Sequence, residues 1–151
     1  MRRKDREMDR EFALAVTDKC EYATLAMAAK EGEPYCVPVT IARDGEKIYF
    51  HCAKVGTKVD MMRENPRVCM TCVGDTRRVP EEFTTKFESA VIRGRASEVT
   101  DDETKIHALR LICQRHAAAG MDGFDDAIKR SLGRTAIWQI DIEDITGKCK
   151  K

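Results

Sequence analysis

One stretch of the chain combines residue types and spacing suited to holding an anion: His51-Cys52-Ala53-Lys54-Val55-Gly56-Thr57-Lys58. It reads as a strand that passes through a glycine turn into a helix start. Such a junction offers backbone N–H groups without intrahelical partners, the positive end of a helix, and one lysine as a point charge. A phosphate-sized anion fits that chemistry. A plainer reading fits the same residues, with Thr57 and Asp60 forming a capping box and Lys58 simply solvated. The glycine spacing of a Walker loop is missing before the lysine.

Other chemistry-bearing residues lead less far. Cys69-Met70-Thr71-Cys72 has the spacing of a metal or redox pair, but it lies in a strand pattern. Residues three apart on a strand project to opposite faces, so these thiols cannot close one tetrahedral site. A redox pair of this spacing belongs at a helix N-terminus, where the dipole lowers the thiol pKa. His107 and His116 fall about half a turn out of phase on one helix. Cys113 shares a face with His116, yet two ligands do not make a site. No metal is expected, and no GxSxG nucleophile motif occurs. Arg77 and Arg78 suit either a phosphate or nicotinamide guide or solvated loop charges. Trp138 lies on an apolar strand face, which suits a core or subunit interface better than ring stacking.

The elements that must position these residues follow from periodicity. Residues 3–19 have helical spacing through Met8, Phe12 and Ala15 or Val16. Short alternating runs come next, at 22–29, 36–42 and 47–53, with Asp44-Gly45 as a hairpin signal before the third. In that third run Ile48, Phe50 and Cys52 face one way and Tyr49, His51 and Ala53 the other. The helix from Gly56-Thr57-Lys58 must end near Asn65-Pro66. A fourth strand is expected at 67–73, a long loop at 75–86, and a fifth strand at 87–99 bent at Gly94. Thr100-Asp101-Asp102-Glu103 begins a helix with a stripe of Ile106, Leu109 and Ile112 or Cys113, stopped by Gly120. A smaller helix spans 125–132. The sixth strand is 135–142, with Ala136, Trp138, Ile140 and Ile142 on one face.

Six short strands without full helices between them predict a mainly β fold with flanking helices, its antiparallel sheet closed or partly closed as a barrel. The 151 residues suit one domain over 1–151, with an N-terminal helix at 1–19 and a helical insertion at 100–133. The 27 basic and 26 acidic residues leave a net charge of +1, so nucleic acid is not an expected partner. Without an apolar span or a secretory pattern, the expectation is a cytoplasmic protein with no membrane partner. Its seven cysteines are then reduced thiols, mostly core hydrophobes.

The ordered segments Val37-Pro38-Val39-Thr40, Ile48-Tyr49-Phe50-His51-Cys52-Ala53, Gly56, Lys58 and Asn65-Pro66-Arg67-Val68 resemble the flavin-binding split-barrel superfamily related to pyridoxamine 5′-phosphate oxidase. Val73-Gly74-Asp75-Thr76, Phe83-Thr84-Thr85-Lys86-Phe87-Glu88-Ser89 and the ending Ile140 to Lys148 resemble its nitroimidazole-resistance branch. The likeness runs from about Glu21 to Lys148. It implies a six-stranded antiparallel split β-barrel of FMN-binding type and a homodimer with flavin between the subunits. FMN is the implied cofactor, with FAD the alternative. Lys58 and Gly56 would hold the phosphate, with His51, Cys52 and Ala53 along the cofactor. Pro38, Val39 and Thr40 would back the ring, and Thr84, Thr85, Lys86 and Glu88 would border the pocket, from the partner chain if not from their own.

His51 is the implied catalytic residue on the side of a small-molecule substrate. The activity implied is FMN-dependent oxidoreduction that passes electrons to a nitro-aromatic acceptor. The alternative is a flavin- or haem-binding module without turnover. The arginine- and histidine-bearing C-terminal substrate segment of pyridoxamine phosphate oxidase itself is missing, so vitamin B6 oxidation is not implied.

Overall fold

A computed structural model describes residues 2–151, so residue 1 of the expected N-terminal helix lies outside the described residues. The strands are β1 (Glu7–Met8), β2 (Ala23–Ala28), β3 (Pro34–Val39), β4 (Ala42–Asp44), β5 (Lys47–Ala53), β6 (Arg67–Val79), β7 (Thr84–Val99) and β8 (Thr135–Lys150). The helices are α1 (Arg10–Lys19), α2 (Thr57–Glu64), α3 (Asp102–His116) and α4 (Phe124–Ser131). Every strand pairing is antiparallel, in the order β3-β2-β6-β7-β8-β5-β4, with β1 added on β8.

The first and last strands of that order, β3 and β4, are consecutive in the chain, with only Thr40 and Ile41 between them. The three peptide links from Val39 to Ala42 span at most about 11 Å. The sheet therefore has to curl until its two edges meet, which makes it a split barrel.

Eight strands form where six were expected. The run at 36–42 divides into β3 and β4, and a two-residue β1 precedes α1. The N-terminal helix begins at Arg10 rather than Arg3, because Asp9 caps it by accepting the Phe12 N–H at 2.8 Å. The stretch at 75–86 is not a long loop: β6 and β7 pair up to Val79 and Thr84 around a single 3-10 turn. β8 runs on from Ile142 to Lys150, because its outer half has β7 to pair with. α3 is capped by Asp101, which accepts from Thr104 N at 2.7 Å, and it ends at His116, short of Gly120.

The interior fills from the inward positions of each strand. Leu25, Met70, Ile92, Phe50, Trp138 and Ile140 form its centre. α1 closes one side with Ala13 and Val16. β5 and β8 are buried on both faces. Phe50 and Trp138 point into the barrel, while Tyr49 and Ile137 pack under Ala108 and Ile112 of α3. The bend expected at Gly94 is a β-bulge, where the β7–β8 register shifts between Arg93 and Gly94. A Cβ at Gly94 would collide with the Asp141 carbonyl oxygen and stand 2.9 Å from Ile140. Trp138 has one unsatisfied group: its buried Nε1 has no acceptor. Among the described residues no helix is long and apolar enough to cross a membrane.

Candidate functional site

The corner between β5 and α2 forms as its residues require. Gly56 has φ +139°, a conformation that side chains rarely adopt, and its carbonyl accepts Val59 N at 2.9 Å and Asp60 N at 3.1 Å. Gly56 is thus the cap of α2, and no side chain caps the helix. Thr57 is the first helical residue, so the expected capping box with Asp60 does not form. The N–H groups of Thr57 and Lys58 are left without helical acceptors at the positive end of α2. Lys58 is half-buried.

His51, Cys52 and Ala53 end β5 beside this corner, paired with Ile137, Ala136 and Thr135. The His51 ring is open to solvent on one side, whereas Cys52 is half-buried. Burial of its other side, with the charges of His116 and Lys58, holds the His51 pKa below the ordinary histidine value. His51 is therefore neutral at pH 7, with one N–H to donate and one lone pair. Burial likewise pushes the Cys52 thiol up, so it is not a nucleophile at neutral pH.

His116, from the last turn of α3, completes this corner. Its Nε2 lies 2.8 Å from the Ile41 carbonyl oxygen, which also accepts from Arg115 at 3.0 Å. Ile41 directly follows Pro38-Val39-Thr40, so the α3 terminus ties the end of β3 to the His51 neighbourhood. Pro38 and Thr40 are exposed there and Val39 is buried. Residues 38–40, 51–53 and 56–58 thus gather at one end of the barrel. Sequence reasoning weighed His116 only as a metal ligand. Its place beside His51 depends on how α3 lies across β5, which spacing does not disclose.

Thr84, Thr85, Lys86 and Glu88 lie at the opposite end. Ile137 of β8 pairs with both His51 and Val99, whereas Phe87 pairs with Lys150, at the far end of β8. That is roughly 40 Å of strand. Within one chain the two groups do not meet. Glu88 forms an ion pair with Lys19, which also holds Asp75 at 2.8 Å, and Thr84 accepts from Lys150. Lys86 stands opposite Arg77, and Thr85 opposite Arg78.

Cys69, Cys72 and His107 lie apart from the His51 corner. Cys72 is buried inside the barrel and Cys69 is half-buried on its outer face. His107 bonds Asp44 at 2.9 Å, at the other end of α3 from His116. Among the described residues no group of three or more potential metal ligands forms.

A helix start with no side-chain cap, a positive-φ glycine and a half-buried lysine suit the phosphate of a flavin. A neutral histidine in line with them suits its reactive edge. Comparison with known proteins bears on the family and the fold. The profile of the pyridoxamine 5′-phosphate oxidase family matches residues 9–149. A Rhizobium meliloti protein, the uncharacterized RA0666, is 27% identical over 151 residues, 95% of this chain and 93% of that one. A structure from Bacteroides thetaiotaomicron, assigned as a 5-nitroimidazole antibiotic resistance protein, superposes with a TM-score of 0.78 at 22% identity, over 95% of this chain and 86% of that one. An FAD and heme binding protein from Mycobacterium smegmatis gives a TM-score of 0.82 at 17% identity, covering 97% and 74%. These structures share the fold. With the family profile spanning all of the barrel from α1 to the end of β8, this chain belongs to the pyridoxamine 5′-phosphate oxidase family.

Proposed function

We propose that the protein is a flavin-dependent oxidoreductase that uses FMN and reduces a small acceptor, with nitro-aromatic compounds as the first class to test. The observation that carries this reading is the corner itself: a neutral His51, the start of α2 with no side-chain cap, and Lys58 lie at one end of the barrel. Bound flavin supplies the electrons for reducing an acceptor, and the protein supplies position and electrostatics. Lys58 and the N–H groups of Thr57 and Lys58 hold the phosphate. Pro38, Val39 and Thr40 back the ring, and Cys52 and Ala53 flank it. Burial keeps His51 neutral, so its ring N–H donates a hydrogen bond to an acceptor oxygen without carrying a full charge into the site.

A homodimer belongs to the same proposal. Thr24, Thr71, Val91 and Thr146 lie in one row across the outer face of the sheet, with Pro38 at its edge. These side chains are small and uncharged, and the neighbouring Val73 is 48% exposed. A second copy seated on this face would bury them. It would also bring the Thr84–Glu88 segment of one chain toward the His51 corner of the other. A second reading, a flavin- or haem-binding module without turnover, draws on His51 as well. A neutral, accessible imidazole also suits an axial iron ligand, and the M. smegmatis protein above is named for both ligands.

The two readings separate in a stopped-flow experiment. Protein loaded with FMN, reduced anaerobically and mixed with a 5-nitroimidazole, should reoxidise faster than free reduced FMN. His51→Ala should slow that step while leaving flavin content near the parent value. Reoxidation no faster than free flavin supports the binding module instead.

A further inference from the structure

The β6–β7 hairpin carries an arm with no strand on either side. β2 pairs with β6 only as far as Cys72, and β8 pairs with β7 only as far as Phe87. The last rungs of the hairpin, Arg77–Lys86, Arg78–Thr85 and Val79–Thr84, therefore have no third strand beside them. A two-stranded arm by itself is marginal in water. Pro80, Glu81 and Glu82 close it as a 3-10 turn, which the Phe83 N–H completes by donating to the Pro80 carbonyl at 3.0 Å.

Phe83 ends that turn at a conformational cost. Its φ is +50°, and among the described residues no other non-glycine has a positive φ. A bulky side chain is strained in this left-handed region. The ring is nonetheless 98% exposed, so no packing within the chain offsets the strain. An aromatic ring held outward on a strained turn suits an anchor for a second surface. Glu81 and Glu82 before it are exposed, and among the described residues neither meets a cation of its own chain.

The complement lies on the turn between β5 and α2. Val55 is 79% exposed there, and Lys54 beside it is exposed with no acidic partner among the described residues. Tip and turn match in charge and in apolar character: two acids and an aromatic ring against a cation and an aliphatic side chain. They do not meet within one chain. Ala53 pairs with Thr135 at one end of β8, and Phe87 with Lys150 at the other.

We propose that the tip Glu81-Glu82-Phe83 of one copy docks on the Lys54-Val55 turn of a second copy. Phe83 covers Val55, and a carboxylate of Glu81 or Glu82 pairs with Lys54. In a two-fold dimer each copy gives one tip and receives the other. Lys58 takes no part in this contact and stays available to the phosphate. The contact rests on the second copy proposed above and not on the flavin.

The test is carbodiimide cross-linking of the native full-length protein, with and without FMN, after isotopically heavy and light chains have exchanged into mixed dimers seen by native mass spectrometry. The Lys54 peptide should be joined to the Glu81–Glu82 peptide, with pairs of one heavy and one light member that only a contact between chains produces. Such pairs in protein that takes up no flavin would support the contact while sinking the flavin reading. A dimer without this link, or a chain that sediments only as a monomer, would overturn the proposal whether or not flavin binds. All four residues are exposed, so their variants should fold. Lys54→Glu should raise the dimer dissociation constant at least about tenfold, and adding Glu81→Lys with Glu82→Lys to the same chain should restore it. Phe83→Gly should also weaken association at least about tenfold. An unchanged constant in Lys54→Glu or Phe83→Gly, or no rescue by the charge swap, would overturn it as well.

Discussion

Lys86 of β7 stands directly opposite Arg77 of β6 in the antiparallel ladder, a like-charged pair. The neighbouring carboxylates Asp75 and Glu88 are both engaged by Lys19. Directly opposed like charges destabilise a sheet, so this end of the barrel gives up stability to keep its cations. If Lys86 serves the partner's flavin site, Lys86→Glu should raise the stability of the flavin-free protein by roughly 0.5–1 kcal/mol in urea unfolding while weakening flavin retention. Greater stability with unchanged retention would remove Lys86 from the cofactor site.

Lys58 carries the phosphate assignment. Lys58→Ala should weaken FMN binding at least about tenfold, from the loss of one charge-assisted contact of roughly 1.5–3 kcal/mol. Fluorescence titration of apoprotein with FMN checks this, and equal affinity in the variant would mean the anion binds elsewhere.

The protonation of His51 gives a pH test. Its imidazolium is disfavoured by burial and by the charges of His116 and Lys58, so it should titrate below about 6.5 in an NMR experiment. Lys58→Gln removes one positive neighbour, so the His51 pKa should rise toward the ordinary value. A downward shift, or none, would show that the two side chains do not sense each other.

Gly94 sits where a side chain has no room, between the Asp141 carbonyl and Ile140 at the bulge. Gly94→Ala should cost about 1–3 kcal/mol, read as a lower urea midpoint with an unchanged slope. A neutral substitution would mean that the bulge relaxes freely and does not fix the β7–β8 register.

The parts of the site and fold that were legible in the sequence are those set by short-range chemistry. Gly56 before an apolar-periodic segment announced the β5–α2 corner, although the glycine itself, not Thr57, caps the helix. Asp44-Gly45 announced the β4–β5 hairpin, and alternation placed Trp138 inward. What stayed hidden depends on pairing between distant strands. Arg77, Arg78 and Asp75 are exposed and show no apolar alternation, so they read as a loop, yet hydrogen bonds to β7 keep most of that stretch extended. Likewise β8 beyond Ile142 is strand because β7 lies beside it, bulge included. The distance between His51 and Thr84 follows from the register of β8 alone, and His116 reaches the corner only because α3 packs across β5.

The central claim is that the β5–α2 corner holds the phosphate of a flavin. The most direct measurement is mass spectrometry, with an absorbance spectrum, of the ligand released from freshly purified protein and from protein reconstituted with FMN. The account predicts a yellow protein that releases FMN at about one per chain, with a flavin spectrum bleached by dithionite. Protein that stays colourless and takes up no flavin after reconstitution would contradict it.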